Sequence, residues 1–233
     1  MVSRREYCPI ACGVEVLGDR WTPLIIRELM IGARGFNEIH RGIPRASRNL
    51  LAQRLRELED AGVVQSRPLP SGRGREYQPT QAAEELQGVI DLLGAWGQRW
   101  VRAQYDLENL DMTMLMWNVR RRIDRRRLPA RRVVVRFEFR AVPPRLRGFR
   151  ACWLVLERKG VDLCLKDPGF EVDLVVTADA ATIARVWMGA VSFADAVRSG
   201  GLRVEGPRDL VRALPTWLLL SHYAHVERPV RAS

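Results

Sequence analysis

Between residues 34 and 75 the sequence places nine arginines against four acids, three of which bunch at Glu57, Glu59 and Asp60. Arg45 and Ser47 lead into a leucine-bearing segment whose other face carries Arg48, Asn49, Gln53 and Arg56. Further on, Arg67, Arg73 and Arg75 form a second cluster. These are the side chains that read duplex nucleic acid. A guanidinium pairs with guanine, a carboxamide pairs with adenine, and any cation attracts phosphate. Other chemistry is poorly provided for. There is no Gly-x-Ser-x-Gly elbow, P-loop, dinucleotide fingerprint or Cys-x-x-Cys pair, and the only histidines are at 40, 222 and 225. No catalytic set, metal site or cofactor is expected. His40 reads as a phosphate neighbour or a surface residue.

Holding the polar face requires a particular set of elements. Leu24, Ile25, Leu29 and Met30 stripe one helix, which the glycine-containing stretch 32–35 ends, and residues 36–43 make a second, short helix closed by Pro44. Ser47 is placed to cap a third helix that carries Leu50, Leu51, Leu55 and Leu58 inward and stops at Gly62. Two helices with a tight break between them, the second amphipathic, make a helix-turn-helix. Residues 63–68 and 75–79 are strand-like. The turn between them holds Pro70, Gly72 and Gly74, so a basic hairpin, or wing, follows the recognition helix. Later, Leu86, Val89, Ile90, Leu93, Trp96 and Trp100 fall on one helical stripe, suited to an internal core or to a partner subunit.

From about residue 132 the apolar spacing switches to period two. Val133, Val135, Phe137 and Phe139 alternate with polar residues, the pattern returns over 161–166 and 170–176, and 149–157 is apolar on both faces, as a central strand is. Helices over 183–190 and 193–198, a strand over 202–205 and a last helix over 207–223 complete an α+β fold with five strands. The net charge of +11 is concentrated between the halves: residues 110–150 carry thirteen basic side chains against three acidic ones. Arg120 to Arg122, Arg125 to Arg127, Arg131 and Arg132 read as a solvated linker helix able to reach flanking phosphates. No run of about 20 apolar residues occurs, so a membrane span is not expected. Four cysteines, at 8, 12, 152 and 164, make no disulfide framework and fit a cytoplasmic protein. Cys152 and Cys164, on strands, read as inert fillers. Cys8 starts the first helix near Arg4 and Arg5, where a thiolate is favoured, though a small buried packing residue fits equally.

Many short motifs occur in order: Cys8-Pro9, Gly18-Asp19-Arg20-Trp21-Thr22, Ile26-Arg27-Glu28-Leu29, Arg34-Gly35-Phe36-Asn37-Glu38-Ile39, Gln53-Arg54-Leu55-Arg56-Glu57-Leu58-Glu59, Gly62-Val63-Val64, Glu76-Tyr77 and Trp96-Gly97. Over residues 8–100 the chain resembles the HxlR family, relatives of the MarR regulators. The resemblance implies a transcription regulator that binds a near-palindromic operator on double-stranded DNA as a homodimer. It also implies that the stripe through Trp96 packs across the dimer and that Cys8 senses oxidants. One departure is Arg45-Ala46, where the family usually has Gly-Ile.

The stretch 173–213 resembles the sterol carrier protein type two family through Leu174-Val175-Val176-Thr177-Ala178-Asp179 and Ser199-Gly200-Gly201-Leu202-Arg203-Val204-Glu205-Gly206. That resemblance implies a tunnel for a hydrophobic small molecule, lined by Phe137, Phe139, Trp153, Val186, Trp187, Phe193, Leu214, Trp217 and Leu218. The expected organisation is a winged helix-turn-helix over 1–108, an arginine-rich linker helix over 109–131 and a sterol-carrier-like domain over 132–225. The expected function is a DNA-binding regulator, not an enzyme, modulated by a hydrophobic ligand or by Cys8 oxidation. The alternative is a hydrophobic-ligand carrier.

Overall fold

The structure, a computed structural model, describes residues 7–71, 73–101, 110–140 and 149–227. Expectations resting on Arg4, Arg5 and Gly72 lie outside the described residues. The chain divides into two units, Met1–Trp96 and Gly97–Ser233, each around its own apolar core.

The first unit comprises α1 (Pro9–Leu17), α2 (Thr22–Met30), α3 (Phe36–Gly42), α4 (Arg48–Asp60), β1 (Val64–Pro68), β2 (Arg75–Pro79), α5 (Gln81–Glu85) and most of α6 (Gln87–Trp100). Helix α4 starts where Ser47 accepts the Leu50 amide at 3.2 Å, and the chain leaves it through Gly62, whose φ of 71° suits glycine. Leu51, Leu55 and Leu58 of α4 pack against Ile25, Ile26 and Leu29 of α2 and Ile39 of α3 in one buried cluster. The α2 stripe therefore differs by one turn position from the sequence expectation. Ile26 is buried, while Leu24 and Met30 are only half-buried.

A carboxylate sits inside this packing. Glu28 is fully buried, and Arg27 donates to it at 2.6 Å while also donating to the Gly42 carbonyl at 3.3 Å. The contact leaves no room at residue 42: a Cβ there would lie 1.9 Å from Glu28 Oε2. The next turn is tied as tightly. Glu38 accepts the Arg34 and Gly35 amides, Arg34 donates to the Leu29 carbonyl at 2.6 Å, and the Tyr77 amide of β2 donates to the Arg34 carbonyl at 2.8 Å. The wing is thus pinned to the turn between α2 and α3.

The second unit comprises α7 (Met112–Arg121), a 3-10 turn (Arg125–Arg127), β3 (Val133–Arg140), β4 (Ala151–Glu157), β5 (Gly160–Cys164), β6 (Leu174–Asp179), α8 (Ala180–Trp187), α9 (Phe193–Arg198), β7 (Leu202–Glu205) and α10 (Arg208–Trp217). Its five strands form one mixed sheet in the order β5-β4-β3-β6-β7, with β3 and β6 parallel and the remaining pairs antiparallel. The α+β expectation and the run of four strands, two helices, a strand and a helix match this fold. Register aligns Val135 with Leu154 and Leu174, and Phe137 with Cys152 and Val176, so these side chains share the face that the core covers.

Three expectations for this half are corrected. The segment 109–131 is no linker over its described part: α7 buries Met112, Leu115, Met116 and Val119 in the core of the second unit, and Trp117 is buried as well. Residues 170–173 precede the strand, because Gly169 turns the chain at φ 76° and β6 starts only at Leu174. The strand read over 161–166 stops at Cys164, leaving Leu165 half exposed.

Replacing Gly42 with alanine forces either Glu28 or the end of α3 to move. The expected loss is about 2–3 kcal/mol, the usual cost of overpacking next to a buried charge. It is read as a lower urea midpoint for Gly42→Ala.

Candidate nucleic-acid interface

Asn49, Gln53 and Arg56 are all exposed and lie one helical turn apart on the side of α4 opposite its buried leucines. Arg48 departs from that stripe. It donates to Asn37 Oδ1 at 2.8 Å and lies 5.0 Å over the Phe36 ring, leaning on α3. Gln53 donates to Glu57 at 2.9 Å, and Glu57 also receives Arg54, which is held on its other side by Asp19 at 2.9 Å. The Gln53 hydrogen bond first, and the Arg54 guanidinium with it, hold the Glu57 carboxyl below the usual carboxylate range. Arg45 and Ser47 are exposed at the entry to the helix.

On the wing the arginines are unequal. Arg67 pairs with Glu76 at 2.8 Å, and that bond holds the Glu76 carboxyl below its ordinary value. Arg75 donates to Ser66 at 2.6 Å and lies 3.6 Å from Glu59. Among the described residues Arg73, at the tip, meets no carboxylate.

The structure corrects one reading and adds residues that the sequence did not single out. His40 is half-buried, with Nε2 3.0 Å from the Ala46 carbonyl and its ring parallel to Phe36. It fastens α3 to the turn entering α4 instead of facing phosphate. Asn37, Glu59 and Glu76 hold Arg48, Arg75 and Arg67, and Arg54 shares Glu57 with Gln53. Their signal in the sequence was weak, because each partner is chosen by packing across elements and not by spacing along one.

Cys8, just before α1, and Cys12, on it, are both exposed, so Cys8 is not a buried packing residue within the chain. Cys152 is fully buried on β4, and burial drives its thiol far above the ordinary range. Cys164 is raised for the same first reason. Neither is a ready nucleophile. Helix α1 buries none of its residues, and Ile10 and Val14 are exposed. Of the α6 stripe, Ile90 is buried, whereas Val89, Leu93, Trp96 and Trp100 are exposed together with Leu92 at 73%.

In the second unit an apolar cavity of about 170 Å³ opens between the sheet and the helices that follow it. Of the nine residues named from the sequence, Phe137, Val186, Trp187, Phe193 and Leu218 lie around it. Four expected residues do not. Phe139, Leu214 and Trp217 are consumed by the core, and Trp153, paired in register with Arg136, faces the other side of the sheet. Val119, Leu219 and Leu220 line it unannounced. Among the described residues no helix is long and apolar enough to cross a membrane.

Comparison with known proteins bears on residues 16–105, which match the family described as HxlR-like helix-turn-helix. The chain is 32% identical over 102 residues to the uncharacterized HTH-type transcriptional regulator YvaP of Bacillus subtilis, covering 43% of this chain and 94% of that one. It is 37% identical over 95 residues to the HTH-type transcriptional regulator YodB of the same organism, covering 40% of this chain and 85% of that one. The structure of the reduced form of YodB matches with 35% identity and a TM-score of 0.37, over 42% of this chain and 97% of that one. The helix pair, the wing and these relatives define a DNA-binding transcription regulator of the helix-turn-helix class. The chain belongs to the HxlR-like helix-turn-helix family.

Proposed function

We propose that the protein reads a near-palindromic operator as a homodimer, with α4 in the major groove and the wing beside it. The observation that carries this reading is the exposed stripe of Asn49, Gln53 and Arg56 set opposite the α4 leucines. Two amides and one guanidinium at successive turns suit base edges. Arg45, Ser47 and the amides at the start of α4 suit phosphate, as does Arg73 on the wing. Arg48, Arg67 and Arg75 already have protein partners and contribute by exchanging them for phosphate or base.

The second subunit is called for by the apolar side chains of α1 and α6, which one chain leaves in water. Large apolar side chains exposed in such numbers suit an interface. The region over 1–108 thus supplies both DNA reading and dimerisation. The second unit, with its mixed five-stranded sheet and apolar cavity, is the effector domain, and the protein acts in the cytoplasm. The same cavity supports the alternative in which hydrophobic-ligand carriage is the main activity. Exposed Cys8 fits a second input by oxidation.

Gln53→Ala is expected to weaken operator binding by about 1–3 kcal/mol with little change on unrelated DNA. Arg73→Ala should weaken both and lower the salt slope by about one. Fluorescence anisotropy on operator and scrambled duplexes separates the two, and unchanged affinity for both variants removes the proposed interface. Trp96→Asp should convert the dimer to monomer in analytical ultracentrifugation, since a charge is costly at the centre of an apolar contact. Diamide should reduce operator affinity of the wild type and spare Cys8→Ser; an equal response of both excludes Cys8 as the sensor.

A further inference from the structure

We propose that the second unit binds a small phosphomonoester dianion in a cleft lined by Arg125, Arg126 and Arg158. The cleft is separate from the apolar cavity, and the proposal does not depend on how that cavity is read.

Charge singles out the cleft. Elsewhere in this unit arginines meet acids: Arg131 with Asp173 at 2.7 Å, Arg132 with Glu157 at 2.7 Å, Arg136 with Glu138 at 2.5 Å and Arg203 with Glu205 at 2.6 Å. In the cleft Asp124 is the one carboxylate among the lining residues, and it is already engaged by Arg127 at 3.3 Å and by the Arg126 amide at 3.1 Å. Among the described residues the guanidinium groups of Arg125, Arg126 and Arg158 meet no carboxylate. Cations gathered on a concave surface without acids to balance them repel one another, and an anion between them relieves that cost.

A reciprocal brace holds two of the three. Arg125, on the 3-10 turn, donates to the Lys159 carbonyl at 3.2 Å, in the turn between β4 and β5. Arg158, in that same turn, donates back to the Leu128 carbonyl at 2.8 Å, just past the 3-10 turn. Each arginine thus ties down the segment that carries the other. The side chains give up rotamer freedom in making these bonds, so an incoming anion has less of it to remove. One such bond each leaves most of their five donors for that anion. Arg126 reaches Asp124 through its backbone amide, which leaves its exposed guanidinium for the ligand.

The count of oxygens and charges sets the ligand. A phosphomonoester presents three terminal oxygens and nearly two negative charges at neutral pH. A carboxylate, like a phosphodiester of the DNA backbone, presents two such oxygens and a single charge. Three guanidinium groups match the first in both respects. Shape agrees, because a recess of about 670 Å³ has the size of a small-molecule site, whereas the backbone of a duplex is convex. Ile123 and Leu219 add apolar lining for the body of the molecule.

The test is titration calorimetry of the full chain with phenyl phosphate, set against methyl phenyl phosphate, the diester that keeps the ring and loses one charge. Phenyl phosphate is expected to bind at least about tenfold tighter than the diester. Arg126→Glu should lower its affinity by at least about tenfold and leave the melting temperature unchanged. If that variant melts early, Arg126→Gln, neutral and similar in length, carries the same test. Arg158→Ala should also weaken binding. Arg203→Ala, which removes a paired cation on β7, should bind as the wild type does. The proposal is overturned if phenyl phosphate does not bind the wild type or if the diester binds equally well. It is overturned too if Arg203→Ala costs as much as Arg126→Glu, since the effect is then one of net charge. If a duplex of random sequence displaces phenyl phosphate, and Arg126→Glu weakens that duplex as strongly, the cleft is a contact for the DNA backbone and the assignment falls.

Discussion

A carboxylate with no access to water joins the first two helices of the DNA-reading motif. Glu28 on α2 lies against Gly42 at the end of α3, and Arg27 spans both by donating to the carboxylate and to the Gly42 carbonyl. Removing an ion from water costs several kcal/mol unless its partners are well placed. The arrangement therefore permits little sliding of α3 along α2. The elements of the proposed interface are referred to that joint. His40 on α3 fastens the turn into α4 through the Ala46 carbonyl, and Arg34, at the opposite end of α3, receives the wing through Tyr77. The joint confers orientation more than stability.

Given that frame, the acids decide which cations stay available. Asp19 and Glu57 hold Arg54, Glu76 holds Arg67, and Glu59 approaches Arg75. Opposite its buried leucines α4 presents two carboxamides and one guanidinium, while Arg48 leans on α3 and Glu57 is engaged by Gln53 and Arg54. In the proposed interface such a stripe would discriminate between bases, since neutral amides contribute nothing to counterion release. The near balance of charge over residues 1–109, fifteen basic residues against fourteen acidic, agrees with that division of labour.

Periodicity and capping made much of this architecture legible. Ser47, Gly62 and the leucines located α4, the proline and glycines located the wing, and alternating residues located the strands of the second unit. Contacts between elements were not legible. The Glu28–Gly42 contact joins residues on different helices, and nothing in the local spacing marks glycine 42 as sterically required. Helix α7 was read as a linker because its arginines dominate the charge count. Its Met112, Leu115, Met116 and Val119, at spacings of three and four, show that the segment belongs to a core. The resemblance implied Trp153 as a tunnel residue without fixing its register. Face depends on register, and register puts it beside Arg136.

The apolar cavity has a volumetric consequence for the chain. Folded proteins lose volume when they unfold, by about 20 to 100 mL/mol, in proportion to the internal void that disappears. The apolar cavity of about 170 Å³ in the second unit adds to that change to the extent that it stays dry. Hydrostatic pressure thus bears on the second unit through this space, and a molecule filling it would oppose the pressure by occupying volume, apart from any hydrogen bond it makes.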